Sequence, residues 1–200
     1  MYVKMLDLID FSDSDTLFFI GDAADRGPRG VEVWQDVMAR SNVRFIRGNH
    51  EQMCLDAMQN GLKDGDALEL WMLNGGGTTI DEIMSLQAEE RERILRFLDA
   101  SPLFINTTVD GKRFHFVHGL PSYNNWKRLW GRPTAKTRHW GWNTTAIIGH
   151  TPTRYITGLS EPMRIWHGKK IIDIDCGCGQ NEQYSQLACL RLEDMKEWYI

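Results

Sequence analysis

The four apolar residues Leu17 to Ile20 stop at Gly21, and a carboxylate, Asp22, follows at once. A run of that length, cut off by glycine, reads as a buried strand. In an α/β sheet such a strand delivers its next residue to the carboxyl edge, where these folds bind ligands. Asp25, Arg26 and Gly27 come next, so one loop carries two acids, a guanidinium and two glycines. That is equipment for holding a cation and an oxyanion side by side. Three further apolar runs end alike, in Gly48-Asn49-His50-Glu51, Val117-His118-Gly119 and Gly149-His150-Thr151. Four polar loops at four strand ends commit the chain to an α/β architecture with its chemistry along one sheet edge.

The remaining periodicities fill in that frame. Helical spacing predicts helices over 2–9, 30–40, 51–58, 66–73 and 87–99. Thr79-Ile80-Asp81-Glu82 has the pattern of a capping box and predicts another helix opening at about 80. Leu103–Val109 and Arg113–Val117 flank Asp110-Gly111 and predict a hairpin. Further strands are expected over 146–148, 170–174, 187–192 and 198–200. Trp126 to Trp142 reads as irregular, aromatic and basic. Strand–helix order early and mostly strand late suits a mixed sheet sandwich flanked by helices.

Composition narrows the function. A net charge of −4 disfavours a nucleic-acid backbone as partner. No apolar run approaches a membrane span, and Met1 to Asp10 lacks the pattern of a signal peptide. Cys54, Cys176, Cys178 and Cys189 offer no zinc-site spacing, and Cys176-Gly177-Cys178 is too close for an easy disulfide. They read as reduced, mostly buried thiols of a cytoplasmic protein.

Asp22, Asn49, His118 and His150 form a mixed nitrogen and oxygen set, which suits manganese, iron or zinc better than calcium or magnesium. Each has a structural alternative. Asn49 could cap the helix expected from Glu51, and the histidines could be held by backbone hydrogen bonds. Arg26 could be a solvated loop residue, and His50 could serve structure alone. His115, His139 and His167 lie outside these loops and read as structural or exposed.

The segments Gly21-Asp22-Ala23-Ala24-Asp25-Arg26-Gly27, Arg47-Gly48-Asn49-His50-Glu51, Val117-His118-Gly119 and Gly149-His150-Thr151-Pro152 resemble the signatures of calcineurin-like metallophosphoesterases. The nearest group is the phosphoprotein phosphatases in their small bacterial and phage form. Leu129-Trp130-Gly131-Arg132 and Ile172-Asp173-Ile174-Asp175-Cys176-Gly177-Cys178 extend the resemblance. It implies a four-layer α/β/β/α sandwich with mixed sheets, forming a single domain over 1–200. It also implies hydrolysis of phosphoserine or phosphothreonine by attack of a metal-bound water. The alternatives are a dinucleoside polyphosphate (diadenosine tetraphosphate) hydrolase and a catalytically degenerate phosphate-binding module. The resemblance gives Asp22, Asn49, His118 and His150 to metal. His50 becomes the leaving-group acid, Asp25 its orienting partner and Arg26 a catalytic phosphate ligand, with Arg47 and Arg132 assisting at phosphate. The implied cofactor is a divalent metal, manganese first and iron or zinc next. The implied partners are a phosphorylated protein or a phosphorylated small molecule, with no nucleic acid and no membrane.

The family also begins with a strand ending in Gly-Asp-x-His-Gly, and no such motif precedes Gly21 here. The expectation is therefore an N-terminally shortened domain, with a full ligand set for one of two metals and impaired activity.

Overall fold

The computed structural model describes residues 1–200 except 60, 140, 142, 159–161, 181 and 182. Its contacts fall into two compact units, Leu17–Pro102, and Met1–Thr16 together with Leu103–Ile200. Among the described residues no helix is long and apolar enough to cross a membrane.

After α1 (Tyr2–Leu8), the 17–102 unit opens with β1 (Leu17–Phe19), α2 (Gly30–Ala39) and β2 (Val43–Phe45). The two strands pair in parallel, Leu17 opposite Val43 and Phe19 opposite Phe45. Parallel neighbours need a crossover, and α2 supplies it. Val31, Trp34 and Val37, at helical spacing, form its buried face. Gly30 lies so close to Ala24 that a Cβ there would stand 2.7 Å from the Ala24 Cα, so only glycine lets α2 start against the Asp22–Arg26 loop. Four helices follow: α3 (Asn49–Gln59), α4 (Gly65–Leu73), α5 (Gly77–Ser85) and α6 (Ala88–Ala100). In α6, Glu89 and Glu90 occupy the first turn, where the helix dipole favours acids, and Ile94 and Leu98 are fully buried. Phe45 ties the layers, its ring centre 5.4 Å from both Phe19 and Phe97.

The 103–200 unit is built on β3 (Phe104–Val109), β4 (Lys112–Val117), α7 (Asn125–Trp130), β5 (Thr144–Ile148), α8 (Arg154–Thr157), β6 (Trp166–Gly168) and β7 (Ile171–Asp173). The sheet order is β3-β4-β5-β7-β6, mixed in direction, with β4, β5 and β7 parallel. Asp110 (φ 48°) and Gly111 (φ 75°) are both left-handed, the geometry that a two-residue hairpin turn requires. Val117, Ala146, Ile148 and Ile171 from the parallel strands make the buried core. β8 (Ala188–Leu190) and β9 (Glu197–Tyr199) form a separate antiparallel pair.

Two local expectations change. The helix expected at about 80 begins at Gly77, so Thr79 lies inside α5 and is not its cap. Thr79 turns instead to Asp25, and Glu82 reaches the backbone N–H groups of Arg29 and, at 3.0 Å, Val31, where it serves the start of α2. The stretch after Trp126 is not wholly irregular, because Asn124 caps α7 by accepting from Lys127 N. Trp140 and Trp142, expected there as aromatic loop residues, lie outside the described residues.

Candidate active site

In the 17–102 unit, β1 ends at Phe19 and the chain turns sharply. Gly21, Asp22, Asp25 and Arg26 all take left-handed backbone angles, of φ 73°, 55°, 72° and 61°. For the three non-glycine residues that conformation is strained, and such strain persists only where surroundings over-determine it. The surroundings here are the α3 N-terminus. Glu51, fully buried, accepts at Oε2 from the N–H groups of Asp22 and Gly48, both at 2.9 Å. Its Oε1 accepts from Ala23 N at 2.9 Å and from the Trp34 indole at 3.2 Å. One carboxylate thus staples the Asp22 loop to the helix carrying Asn49 and His50.

Asn49 is the first residue of α3 and not a cap preceding a helix at Glu51. Gln52 N donates to Gly48 O at 3.1 Å, and Glu51 reaches back to Gly48 N, the return half of a capping box. Asn49 is only 2% exposed. Asp22 Oδ1 accepts from His50 N at 3.2 Å.

His50 is held from both sides. Its Nδ1 lies 2.5 Å from Asp25 Oδ2, and its Nε2 lies 2.8 Å from Arg26 Nη2. A guanidinium only donates, so Nε2 accepts here and the ring proton sits on Nδ1, pointing at Asp25. Asp25 is fixed in turn: Trp71 Nε1 donates to its Oδ2 at 2.9 Å, and the Thr79 hydroxyl donates to its Oδ1 at 2.6 Å. Burial works against charge on His50, but the carboxylates of Asp22 and Asp25 outweigh it and hold its pKa above the ordinary imidazole value, with Arg26 opposing. Protonating Nε2 therefore requires Arg26 to let go, so the two cannot both keep their present partners.

Arg47 points elsewhere, its Nη1 lying 3.5 Å from Asp99 Oδ1 on α6. Its backbone N–H donates to Pro102 O at 3.0 Å.

In the 103–200 unit, His118 and His150 follow the neighbouring parallel strands β4 and β5, and Gly149 N donates to His118 O at 2.8 Å. Both rings are buried, their centres 5.1 Å apart and inclined by 59°. Two imidazoles bound to one ion at about 2.1 Å place their ring centres roughly 5 Å apart near the tetrahedral angle, so the pair fits a shared divalent metal. His150 has φ 69°, a further strained residue. Trp130 meets His150 edge-on, 6.0 Å between centres at 87°. Arg132 is exposed and lines a 470 Å³ pocket with Leu120, Trp126, Lys127, Trp130 and Gly131. Asp173, fully buried on β7, has its pKa raised well above the carboxylate range by burial and then by Asp175.

Each unit therefore presents a pair of the donors expected of a metallophosphoesterase, and the 17–102 unit adds the hydrogen-bonded His50–Asp25 pair and the Arg26 guanidinium. The calcineurin-like phosphoesterase family model matches residues 2–175. The chain belongs to the calcineurin-like phosphoesterase family. It is 30% identical over 127 residues to serine/threonine-protein phosphatase 2 of Escherichia coli (strain K12), covering 64% of this chain and 54% of that protein. It is 31% identical over 124 residues to a symmetrical bis(5'-nucleosyl)-tetraphosphatase of Paracidovorax citrulli (strain AAC00-1), covering 60% of this chain and 40% of that one. The chain thus spans about half the length of these curated relatives. A crystal structure of a candidate diadenosine tetraphosphatase superposes with a TM-score of 0.68 at 16% identity, over 100% of this chain and 86% of that one. At that identity the superposition speaks for the fold alone, which is the calcineurin-like phosphoesterase α/β fold.

The site residues that sequence reasoning missed are Glu51 as a loop staple, Thr79 and Trp71 as the fixtures of Asp25, and Trp34. Glu51 stands within a motif and could have been found there. The other three act across long sequence separations with no local pattern.

Proposed function

We propose that this chain carries out metal-dependent hydrolysis of phosphoesters. The observation that carries the reading is the relay Arg26–His50–Asp25, a guanidinium and a buried, carboxylate-anchored imidazole within hydrogen-bond reach of each other. A binding module has no use for so constrained an acid. Asp22, Asn49, His118 and His150 are the proposed ligands, with manganese first and iron or zinc next. A divalent ion held by them would supply Lewis-acid polarisation of the phosphoryl group and a water of lowered pKa.

The protein's own steps follow from the geometry. Arg26 leaves His50 Nε2 for two oxygens of the incoming phosphate, which a planar fork matches bidentately. The freed Nε2 takes up a proton, its charge held by Asp25. As a water oxygen forms its bond to phosphorus and the ester P–O bond breaks, Nε2 hands that proton to the departing oxygen. The products are a phosphate and the protonated leaving group. Arg132, exposed at the pocket, and Arg47, now paired with Asp99, are the proposed assisting phosphate ligands.

The substrate is a phosphorylated serine or threonine, or a dinucleoside polyphosphate; relatives carry both kinds of name. Four free thiols suit a reducing, cytoplasmic setting. The test is turnover of p-nitrophenyl phosphate, a phosphoserine peptide and diadenosine tetraphosphate after dialysis, with and without manganese. Turnover should require metal. His50→Asn should lower kcat by about 100-fold or more, whereas Arg26→Ala should mainly raise KM. No turnover with manganese, iron or zinc would move the reading to a phosphate-binding module.

A further inference from the structure

The pocket beside His150 is walled by two tryptophans. Trp126 and Trp130 stand four residues apart on α7, so their rings share one face of the helix. Leu120 adds an apolar wall, and Lys127 and Arg132 add two cations. Among the described lining residues there is no carboxylate, side-chain amide or hydroxyl. Its 470 Å³ falls within the roughly 300–1,000 Å³ range of small-molecule sites.

The pocket is also preorganised. Gly119 N donates to Arg128 O at 2.6 Å, Leu120 N to Lys127 O at 2.9 Å and Gly131 N to Lys127 O at 3.0 Å. These bonds tie the end of α7 to the loop after His118. A Cβ on Gly131 would stand 2.5 Å from Lys127 O, so the close approach needs glycine. Arg128 is committed to this scaffold, with Nε donating to Ser122 O at 2.6 Å and its guanidinium 4.5 Å over the Phe104 ring. Lys127 and Arg132 are the cations left facing the pocket.

We infer that this pocket holds the base of a nucleoside polyphosphate, stacked on Trp126 and Trp130, with its phosphates led by Lys127 and Arg132 toward His150. This deepens the phosphoesterase reading and rests on it for the placement of the reacting phosphate. Trp130 is at once a pocket wall and the ring that meets His150, so a base seated here leaves its phosphate chain beside that histidine. Ring faces and cations suit a base and its phosphates. A phosphopeptide would instead ask for side chains that accept from its backbone N–H groups, and the lining side chains offer donors only.

The test is calorimetric binding of three probes to the full chain: adenosine 5'-(β,γ-imido)triphosphate, which is not hydrolysed at its terminal linkage, tripolyphosphate of similar charge, and a phosphoserine peptide. The nucleotide should bind at least tenfold more tightly than tripolyphosphate. Trp126 is 63% exposed, so its removal spares the fold. Trp126→Ala should weaken nucleotide binding by about 5- to 100-fold and leave tripolyphosphate within twofold, and Trp126→Phe should restore most of the loss. Equal affinity for nucleotide and tripolyphosphate, tighter peptide binding, no binding of any probe, or an equal effect of Trp126→Ala on both polyphosphates would overturn the inference. Because no turnover is read, ring-selective binding without hydrolysis would sink the phosphoesterase reading alone. Hydrolysis without ring selectivity would sink this inference alone.

Discussion

Glu51→Gln is the sharpest probe of the site's construction. The wild-type carboxylate is fully buried and accepts four N–H groups, two on each oxygen. Glutamine keeps one acceptor oxygen and replaces the other with an NH₂ group, which only donates. Either the amides of Asp22 and Gly48 or the Ala23 amide and Trp34 indole then face another donor. Two stranded donors at roughly 1–3 kcal/mol each give a loss of about 2–6 kcal/mol. Weakening of the two surviving charge-assisted bonds comes on top. Against a typical total of about 5–15 kcal/mol, that is a severe lesion in a nearly isosteric change. Urea denaturation would read it as a lowered midpoint, and amide exchange would locate it through lost protection at Asp22, Ala23 and Gly48. Glu51→Ala, which strands all four donors, should be at least as damaging. A Glu51→Gln protein within about 1 kcal/mol of wild type, with those amides still protected, would refute the idea that this carboxylate holds the loop.

Glu82→Ala should cost about 1 kcal/mol, the worth of a lost helix cap, through the N–H groups of Arg29 and Val31, and denaturation would measure it. His115 and His139 stack with ring centres 5.9 Å apart; burial first, then neighbouring charge, lowers both pKa values below the imidazole norm. The unfolded chain therefore binds their protons more readily, so their contribution is full above about pH 6.5 and is lost as pH falls through the lower folded values. His50 and Asp173, with raised folded values, work the opposite way, so the pair is read by difference: from pH 7.5 to 5 the wild-type urea midpoint should fall relative to that of a His115→Asn, His139→Asn variant, and a constant difference would count against it. Burial and then Asp175 push the Cys176 thiol up to about 12, and Cys54 is buried, so alkylation of the native protein at pH 8 should modify exposed Cys178 first.

Local patterns carried much of the fold. The run Leu17–Ile20 and the Asp110-Gly111 turn declare a strand and a hairpin within a handful of residues, and both appear at those places. Helical spacing likewise placed α2 and α6 to within a residue or two. The failures share a cause. Thr79-x-x-Glu82 has the chemistry of a local cap, but both side chains serve partners 51 to 54 residues away. Asn49 looked like a cap because Glu51 to Met58 is the evident periodic segment; Glu51's bond to Gly48 N starts the helix two residues sooner. α7 was hidden by its six-residue length, too short to show a period. The candidate site was legible at its strand ends, where glycine and a polar residue stand together. Its supports were not, since a buried tryptophan donating to Asp25 across 46 positions leaves no trace in spacing.

Two of the chain's eight tryptophans also make the site observable. The Trp34 indole N–H ends on Glu51, and the Trp71 indole N–H ends on Asp25. Both rings are fully buried, so neither proton exchanges with bulk water without local opening. In a nitrogen-15 spectrum these indole signals would stand apart from the backbone. The Trp34 resonance would follow the carboxylate that shapes the Asp22 loop, and the Trp71 resonance the one that steadies His50. Arrival of a phosphate, release of Arg26 or a change of charge on His50 should each move the second signal more than the first. The protein thus carries a pair of native spectroscopic reporters, one for the frame of the site and one for its chemistry, read by uniform nitrogen-15 enrichment with no foreign group attached.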